Sequence, residues 1–242
     1  MAARLLILED DHGLRTSLRL VLESSGYEVL EAADAERALE TVADPGVDLM
    51  LVDLMLRGMD GFTFIQRVRP QTDAPIVVVS ARDGVQDIVH ALEVGADDYV
   101  TKPFDVEEVQ ARLRALLRRP TMDTDPEGKA DPSHDQRQDV FVLDSRCGPL
   151  VFDRGAAQLT RGEREIHLTI TEYRLLTVLA ENPGRVLDRA SLLEHVWDRG
   201  FFGDERIVDV HVRRLRKKIE TDPSSPSTLV TVRGLGYRLD VR

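Results

Sequence analysis

Residues 4–11 read RLLILEDD: an apolar run from Leu5 to Leu8 passes straight into Glu9, Asp10 and Asp11. Four aliphatic residues without polar alternation suit a strand covered on both faces, as in parallel sheets. Three acids at its end bring like charges together. That arrangement destabilises a fold unless something positive sits among them.

Further apolar runs follow at Leu49–Val52 and Ile76–Val79, with weaker ones at Val29–Leu30 and Tyr99–Val100. Helical spacing lies between them: Leu14, Leu18, Val21 and Leu22 mark one helix, and Ala35–Val42, Phe62–Val68, Val85–Val94 and Val106–Leu117 supply four more. Strands alternating with helices predict an α/β domain, a five-stranded doubly wound parallel sheet. Gly26, Gly46 and Gly95 fall near helix ends, where a left-handed cap is expected.

The pattern breaks at Arg119-Pro120. PTMDTDPEGKADPSHDQRQD is polar and acidic, and reads as a flexible linker. The following VFVLDSR fits either a short strand or ordered linker. The expected organisation is therefore a domain over 1–119, an acidic linker over 120–147 and a second domain over 148–242. In the last, LVFD, AQLTR and EIHLT read as short strands joined by turns at Arg154-Gly155 and Arg161-Gly162. Thr169–Glu172 has the form of a capping box opening a helix. Asp188 can cap a second helix, a third spans about Glu205–Glu220, and TLVTVRGLGYRLDV reads as two strands around a turn.

The net charge of −11 is uneven: about −9 over 1–119, −4 over 120–147 and +2 over 148–242. Such asymmetry suggests two tasks, although the rear is too weakly basic to establish nucleic-acid binding by itself. The single cysteine, Cys147, excludes an intrachain disulfide and a cysteine-rich zinc site. No apolar run reaches the ~18–20 residues of a membrane span, so a soluble, cytoplasmic protein without membrane contact is expected.

In open parallel sheets, sites form outside the carboxyl ends of the strands. Glu9, Asp10 and Asp11 follow the first strand, Asp53 the third, Ser80 ends the fourth and Lys102 follows the fifth. A hard divalent cation, an ammonium and a hydroxyl among carboxylates together suit a phosphoryl group. The sheet pattern leaves open whether Asp53 is a nucleophile or only a ligand.

These residues, with the D-x-M-x-x-G-M-D-G run from Asp53 to Gly61, Ser80-Ala81 and GADDYVTKPF from Gly95 to Phe104, resemble the CheY-like (flavodoxin-like) receiver domain of bacterial two-component response regulators. The resemblance implies that Asp53 accepts a phosphoryl group from a sensor histidine kinase. It implies Mg2+ held by Glu9, Asp10, Asp53 and the Met55 carbonyl. Ser80, Ala81 and Lys102 are implied around the phosphoryl group, with Tyr99 as an inward-turning switch and Lys102-Pro103 as a cis peptide. A homodimer face on the fourth helix, fifth strand and fifth helix is implied too, with Asp97, Asp98, Glu108, Arg112 and Arg119 as its charged residues. Two positions depart from the family pattern: Arg57 stands where proline is common, and Ile88 where an arginine would face Glu108.

The stretch from Arg206 to Lys218 holds six Lys/Arg, and Val208, Val212, Leu215 and Ile219 form one apolar stripe. A helix buried on one side and basic on the other can enter a major groove. Together with LTITEYRLL, RASLLEHVW and TVRGLGYRL, it resembles the winged helix-turn-helix effector of the OmpR/PhoB subfamily. That implies promoter DNA, arranged as direct repeats, contacted by Arg206, His211, Arg213, Arg214, Arg216 and Lys217 on the recognition helix and by Thr231 and Arg233 in the wing. RNA polymerase is implied at a loop carrying Phe201 and Phe202, which either stay exposed or tuck into the domain.

Other classes fit less well. A phosphohydrolase using Asp53 would carry a second acid two residues on, where Met55 stands. A nucleotide-binding domain needs a glycine-rich loop after the first strand, where EDDHG stands. A phosphorylation-independent DNA binder with a degenerate receiver conflicts with Asp10, Asp53, Ser80 and Lys102, all present. The chain is thus expected to be no turnover enzyme beyond handling its own phosphoryl group.

Overall fold

A computed structural model describes residues 2–43, 46–117, 139–145, 148–197 and 205–241. The chain divides into two compact units, residues 1–117 and 118–242.

In the first unit, β1 (Arg4–Leu8), β2 (Glu28–Ala32), β3 (Leu49–Val52), β4 (Ile76–Ser80) and β5 (Asp98–Thr101) alternate with α1 (His12–Ser24), α2 (Ala35–Ala43), α3 (Gly61–Val68), α4 (Val85–Val94) and α5 (Val106–Leu117). The sheet is parallel, in the order β2-β1-β3-β4-β5. β1, β3 and β4 are buried at nearly every residue, which explains their unbroken apolar runs. Leu5, Ile7, Leu51, Val77 and Val79 pack on one face against Leu18 and Leu22 of α1 and Val109, Leu113 and Leu116 of α5. The chain passes from β2 on one side of β1 to β3 on the other. This reversal leaves the carboxyl ends of β1 and β3 side by side at the crevice where ligands bind.

In the second unit β6 (Val140–Asp144), β7 (Leu150–Asp153), β8 (Gln158–Arg161) and β9 (Arg164–Glu165) form an antiparallel sheet in chain order. Here the structure decides the open alternative for VFVLDSR. Its first five residues are a strand paired to β7, with Phe141 opposite Phe152. This strand lies within the 120–147 span that composition assigned to the linker. EIHLT is strand only at its start. Residues 118–138 and Cys147 lie outside the described residues.

Three helices follow: α6 (Ile170–Ala180), α7 (Arg189–Trp197) and α8 (Arg206–Ile219). The Thr169 capping box is formed in both directions, Glu172 reaching back to the Thr169 N–H at 2.9 Å. The Asp188 carboxylate accepts from Ser191 N–H, which holds that acid below its ordinary carboxylate pKa. A two-residue strand that sequence periodicity could not reveal, β10 (Val186–Leu187), pairs with β12 (Gly236–Leu239), which pairs in turn with β11 (Leu229–Val232). Gly236 permits this closure. Its φ is +138°, and a Cβ there would lie 2.1 Å from the Leu187 carbonyl oxygen. Among the described residues, no helix is long and apolar enough to cross a membrane.

Candidate functional site

The acids of β1 and β3 meet an ammonium. Lys102 Nζ donates to Glu9 Oε2 and Asp53 Oδ2, each at 2.7 Å. Both carboxylates are buried, at 3% and 5% exposed. Burial pushes the Glu9 carboxyl above its ordinary value, and the Lys102 ammonium opposes this without cancelling it. Burial also works against the ammonium, but its bonds to Asp53 and Glu9 outweigh that and raise its pKa. The puzzle of like charges at the end of β1 is thus answered by a lysine brought from the far end of β5. The Lys102-Pro103 peptide is cis, as expected.

Neighbouring backbone orients the pair. The Arg15 guanidinium donates to the Glu9 carbonyl at 2.6 Å, and Asp11 caps α1 by accepting from Leu14 N–H at 2.7 Å. Asp11 therefore serves the helix. Met55 N–H donates to Asp53 Oδ1 at 2.8 Å. Asp10 is partly exposed beside Arg57, with Nε to Oδ2 at 3.4 Å. Ser80 is fully buried, its hydroxyl at 3.5 Å from Arg82 N–H, and Ala81 next to it is exposed. The donor set of Glu9, Asp10 and Asp53 is all oxygen and carries more negative charge than Lys102 neutralises. That chemistry fits Mg2+, which takes one or two carboxylates and completes its shell with water and phosphate oxygens. Among the described residues, no three or more His, Cys, Asp or Glu side chains are gathered so that they could hold a metal ion by themselves, so water and phosphate oxygens would have to supply the rest of the shell.

Gly61, at the start of α3, fixes the other side of Asp53. A Cβ there would come within 2.3 Å of the Asp53 carbonyl oxygen and 2.7 Å of Leu54 Cα. Gly61→Ala is expected to force the β3–α3 loop away, destabilise the first unit by about 1–3 kcal/mol and slow modification at Asp53. Urea denaturation and intact mass after phosphodonor treatment check both parts.

Tyr99 faces inward at 5% exposed, its hydroxyl donating to the Arg82 carbonyl at 2.5 Å. Burial pushes its phenol up to about 12. The residues expected at a dimer face are placed differently. Asp97 is fully buried, accepting from Ile76 N–H at 2.9 Å and Arg69 at 2.7 Å. Asp98, 1% exposed, pairs with Arg112 within the same unit at 3.0 Å, and Arg112 also reaches Glu108 at 2.6 Å. Asp97, Asp98 and Arg112 are thus internal ties, because their burial leaves almost no charged surface for a second copy. Glu108 keeps an exposed side. Arg119 lies outside the described residues.

On α8 the apolar stripe is wider than sequence spacing suggested. Ile207, Val210 and His211 join Val208, Val212, Leu215 and Ile219 inside. His211 is fully buried against Trp197, with ring centroids 5.1 Å apart, so it belongs to the core and not to the exposed side of the helix expected to meet DNA. Arg214 is turned inward as well: its guanidinium lies 3.3 Å from Glu172, a fully buried carboxylate that also takes Lys218 at 2.6 Å. Arg206, Arg213 and Lys217 remain exposed, at spacings of seven and four that place them on one side of the helix. Arg216 reaches across to the wing, donating to the Leu229 carbonyl and Thr231 Oγ1, each at 2.8 Å. Thr231 and Arg233 are exposed. Phe201 and Phe202 lie outside the described residues.

Sequence reasoning missed a second cluster. The Tyr237 hydroxyl donates to Asp209 at 2.7 Å, and Arg189 binds the same carboxylate at 2.6 Å while stacking over the Tyr237 ring. Burial, reinforced by Asp209, pushes the Tyr237 phenol up to about 12. The cluster ties α7, α8 and β12 together. Only the RGLGYR turn hinted at it, and no periodicity links Arg189 to Tyr237.

Comparison with known proteins agrees in both units. Residues 5–114 match the model of the response regulator receiver domain, and residues 163–239 that of the C-terminal domain of transcriptional regulatory proteins. The chain is 42% identical to the transcriptional regulatory protein AfsQ1 of Streptomyces coelicolor, over 98% of this chain and 97% of that one. It is 39% identical to the alkaline phosphatase synthesis transcriptional regulatory protein PhoP of Bacillus subtilis, over 99% and 98%. Among solved structures, a RitR mutant aligns over all of both chains with a TM-score of 0.74 at 27% identity.

Proposed function

From the premise that this chain belongs to the two-component response regulators of the OmpR/PhoB type, with a receiver and a DNA-binding effector, we propose that it is a transcriptional regulator switched by phosphorylation of Asp53. The observation that carries this reading is the buried Asp53 carboxylate sharing Lys102 with Glu9 at the carboxyl edge of the sheet.

In the proposed reaction an Asp53 carboxylate oxygen attacks the phosphorus of a phosphohistidine on a sensor kinase. The P–N bond breaks and the imidazole leaves with the electron pair. Lys102 supplies a charge-assisted hydrogen bond to the transferred group, and the Ser80 hydroxyl, once drawn toward it, and the Ala81 N–H would bond its other oxygens. Glu9, Asp10, Asp53 and the Met55 carbonyl would hold Mg2+, which supplies positive charge against the phosphoryl oxygens. The product carries about −1.5 to −2 charge at the acceptor, enough to draw Ser80 and rearrange the face around Tyr99.

That face, on α4, β5 and α5, then pairs two copies. Two linked effectors gain affinity for adjacent half-sites through effective concentration, and the half-sites proposed in promoter DNA are direct repeats. Arg206, Arg213 and Lys217 enter the major groove, and Arg216, Thr231 and Arg233 serve the wing and backbone contacts. RNA polymerase is the proposed partner of the loop after Trp197. A regulator acting on promoter DNA in this way would reside in the cytoplasm.

Treatment with acetyl phosphate and Mg2+, followed by intact mass and light scattering, tests the reading. One phosphoryl adduct, absent in Asp53→Asn and accompanied by dimer, is the expected result. No adduct under conditions that label another receiver would overturn it.

A further inference from the structure

The loop between β3 and α3 is closed on Asp53 at both ends. Met55 N–H bonds the Asp53 carboxylate, and Gly61 N–H bonds the Leu54 carbonyl at 3.1 Å, at a point where a Cβ on Gly61 would meet the Asp53 carbonyl oxygen. Gly58, with φ of +83°, turns the tip between these anchors. A loop pinned this way holds its tip beside the carboxylates. The residue before that glycine is Arg57. Its side chain is 95% exposed, yet Nε lies 3.4 Å from Asp10 Oδ2.

The charge of the pocket gives this contact a meaning. Glu9, Asp10 and Asp53 bring three negative charges, and Lys102 sits between Glu9 and Asp53. Asp10 is left to Arg57. A divalent cation entering beside Asp10 must approach a guanidinium a few ångströms away, and like charges at that range repel even in a high dielectric.

We propose that Arg57 is a built-in counter-cation for Asp10 that competes with divalent metal and so raises the Mg2+ concentration at which the pocket fills. The receiver of this chain then responds to phosphodonor only above a metal threshold set by an exposed side chain. This inference rests on the reading of the pocket as an Mg2+-dependent phosphoacceptor.

The test uses the full chain and the metal alone. Mn2+ is titrated in and the bound fraction read from loss of the free-ion paramagnetic resonance signal, with Mg2+ displacing it. Arg57→Gln is expected to tighten binding about fourfold in low salt, Arg57→Glu by more than about tenfold, and Arg57→Lys hardly at all. The differences should shrink toward unity in about 0.5 M salt, because an exposed charge is screened there. Affinity that follows side-chain charge and salt in this way supports the proposal, and a role in loop shape alone would not produce it. Equal affinity of wild type and Arg57→Gln in low salt overturns it. Absence of metal binding in every variant, wild type included, would overturn the pocket reading itself, and the counter-cation with it.

Discussion

Lys102→Met is expected to slow phosphoryl uptake at Asp53 by about 10²-fold, the usual loss when one preorganised donor is removed from a charged transition state. It is also expected to destabilise the receiver by about 2–3 kcal/mol at pH 7. Breaking a buried pair costs about 3–5 kcal/mol. The discount reflects the 20% exposure of Lys102, which lets some water reach the orphaned carboxylates. The sign of the pH dependence follows from Glu9. Burial already holds its carboxyl above its ordinary value, and losing the ammonium raises it further. A carboxylate whose folded pKa exceeds its unfolded one destabilises the protein above that window, and the effect disappears as pH falls through it. The deficit of the variant relative to wild type should therefore shrink between pH 7 and pH 4.5, and millimolar Mg2+ should restore part of it at pH 7. Urea denaturation at several pH values, with phosphorylation rates by intact mass, checks this. A deficit independent of both pH and Mg2+ would show that Lys102 acts through packing.

The second large effect lies in the effector. Glu172→Ala is expected to destabilise the second unit by about 3 kcal/mol, since Arg214 and Lys218 lose a carboxylate that is fully buried between them. Lys218 is about a third exposed and can turn to water, whereas Arg214 is nearly enclosed and cannot. The capping bond to Thr169 N–H is lost as well. Glu172→Gln should cost less, because an amide oxygen can still accept that bond. Trp197, the only tryptophan of the chain, is buried in this unit against α8, so its fluorescence isolates the effector transition from that of the receiver. A midpoint for Glu172→Ala within error of wild type would remove the buried ion pairs as the tie between α6 and α8.

The parallel sheet was legible in the sequence because two-sided burial writes itself as unbroken apolar runs, and β1, β3 and β4 are such runs. The second domain was recognised through its resemblance to a family, and its capping box could be read as a motif because Thr169 and Glu172 are only three residues apart. Lys102 was rightly placed near Asp53 because the carboxyl ends of parallel strands share one edge. Distant partners of a charge were not legible. A basic residue on an amphipathic helix reads the same in sequence whether it faces DNA or a buried acid. Arg214 was assigned to DNA and instead meets Glu172, forty-two positions away, while His211 was assigned to DNA and packs on Trp197. Asp98 and Arg112 were assigned to a face between copies and pair with each other within one. Sequence determined which residues are charged, which are apolar and how the elements alternate. Only the tertiary structure decided which charges face inward, because burial depends on neighbours brought from elsewhere in the chain, and each buried charge must find its opposite there.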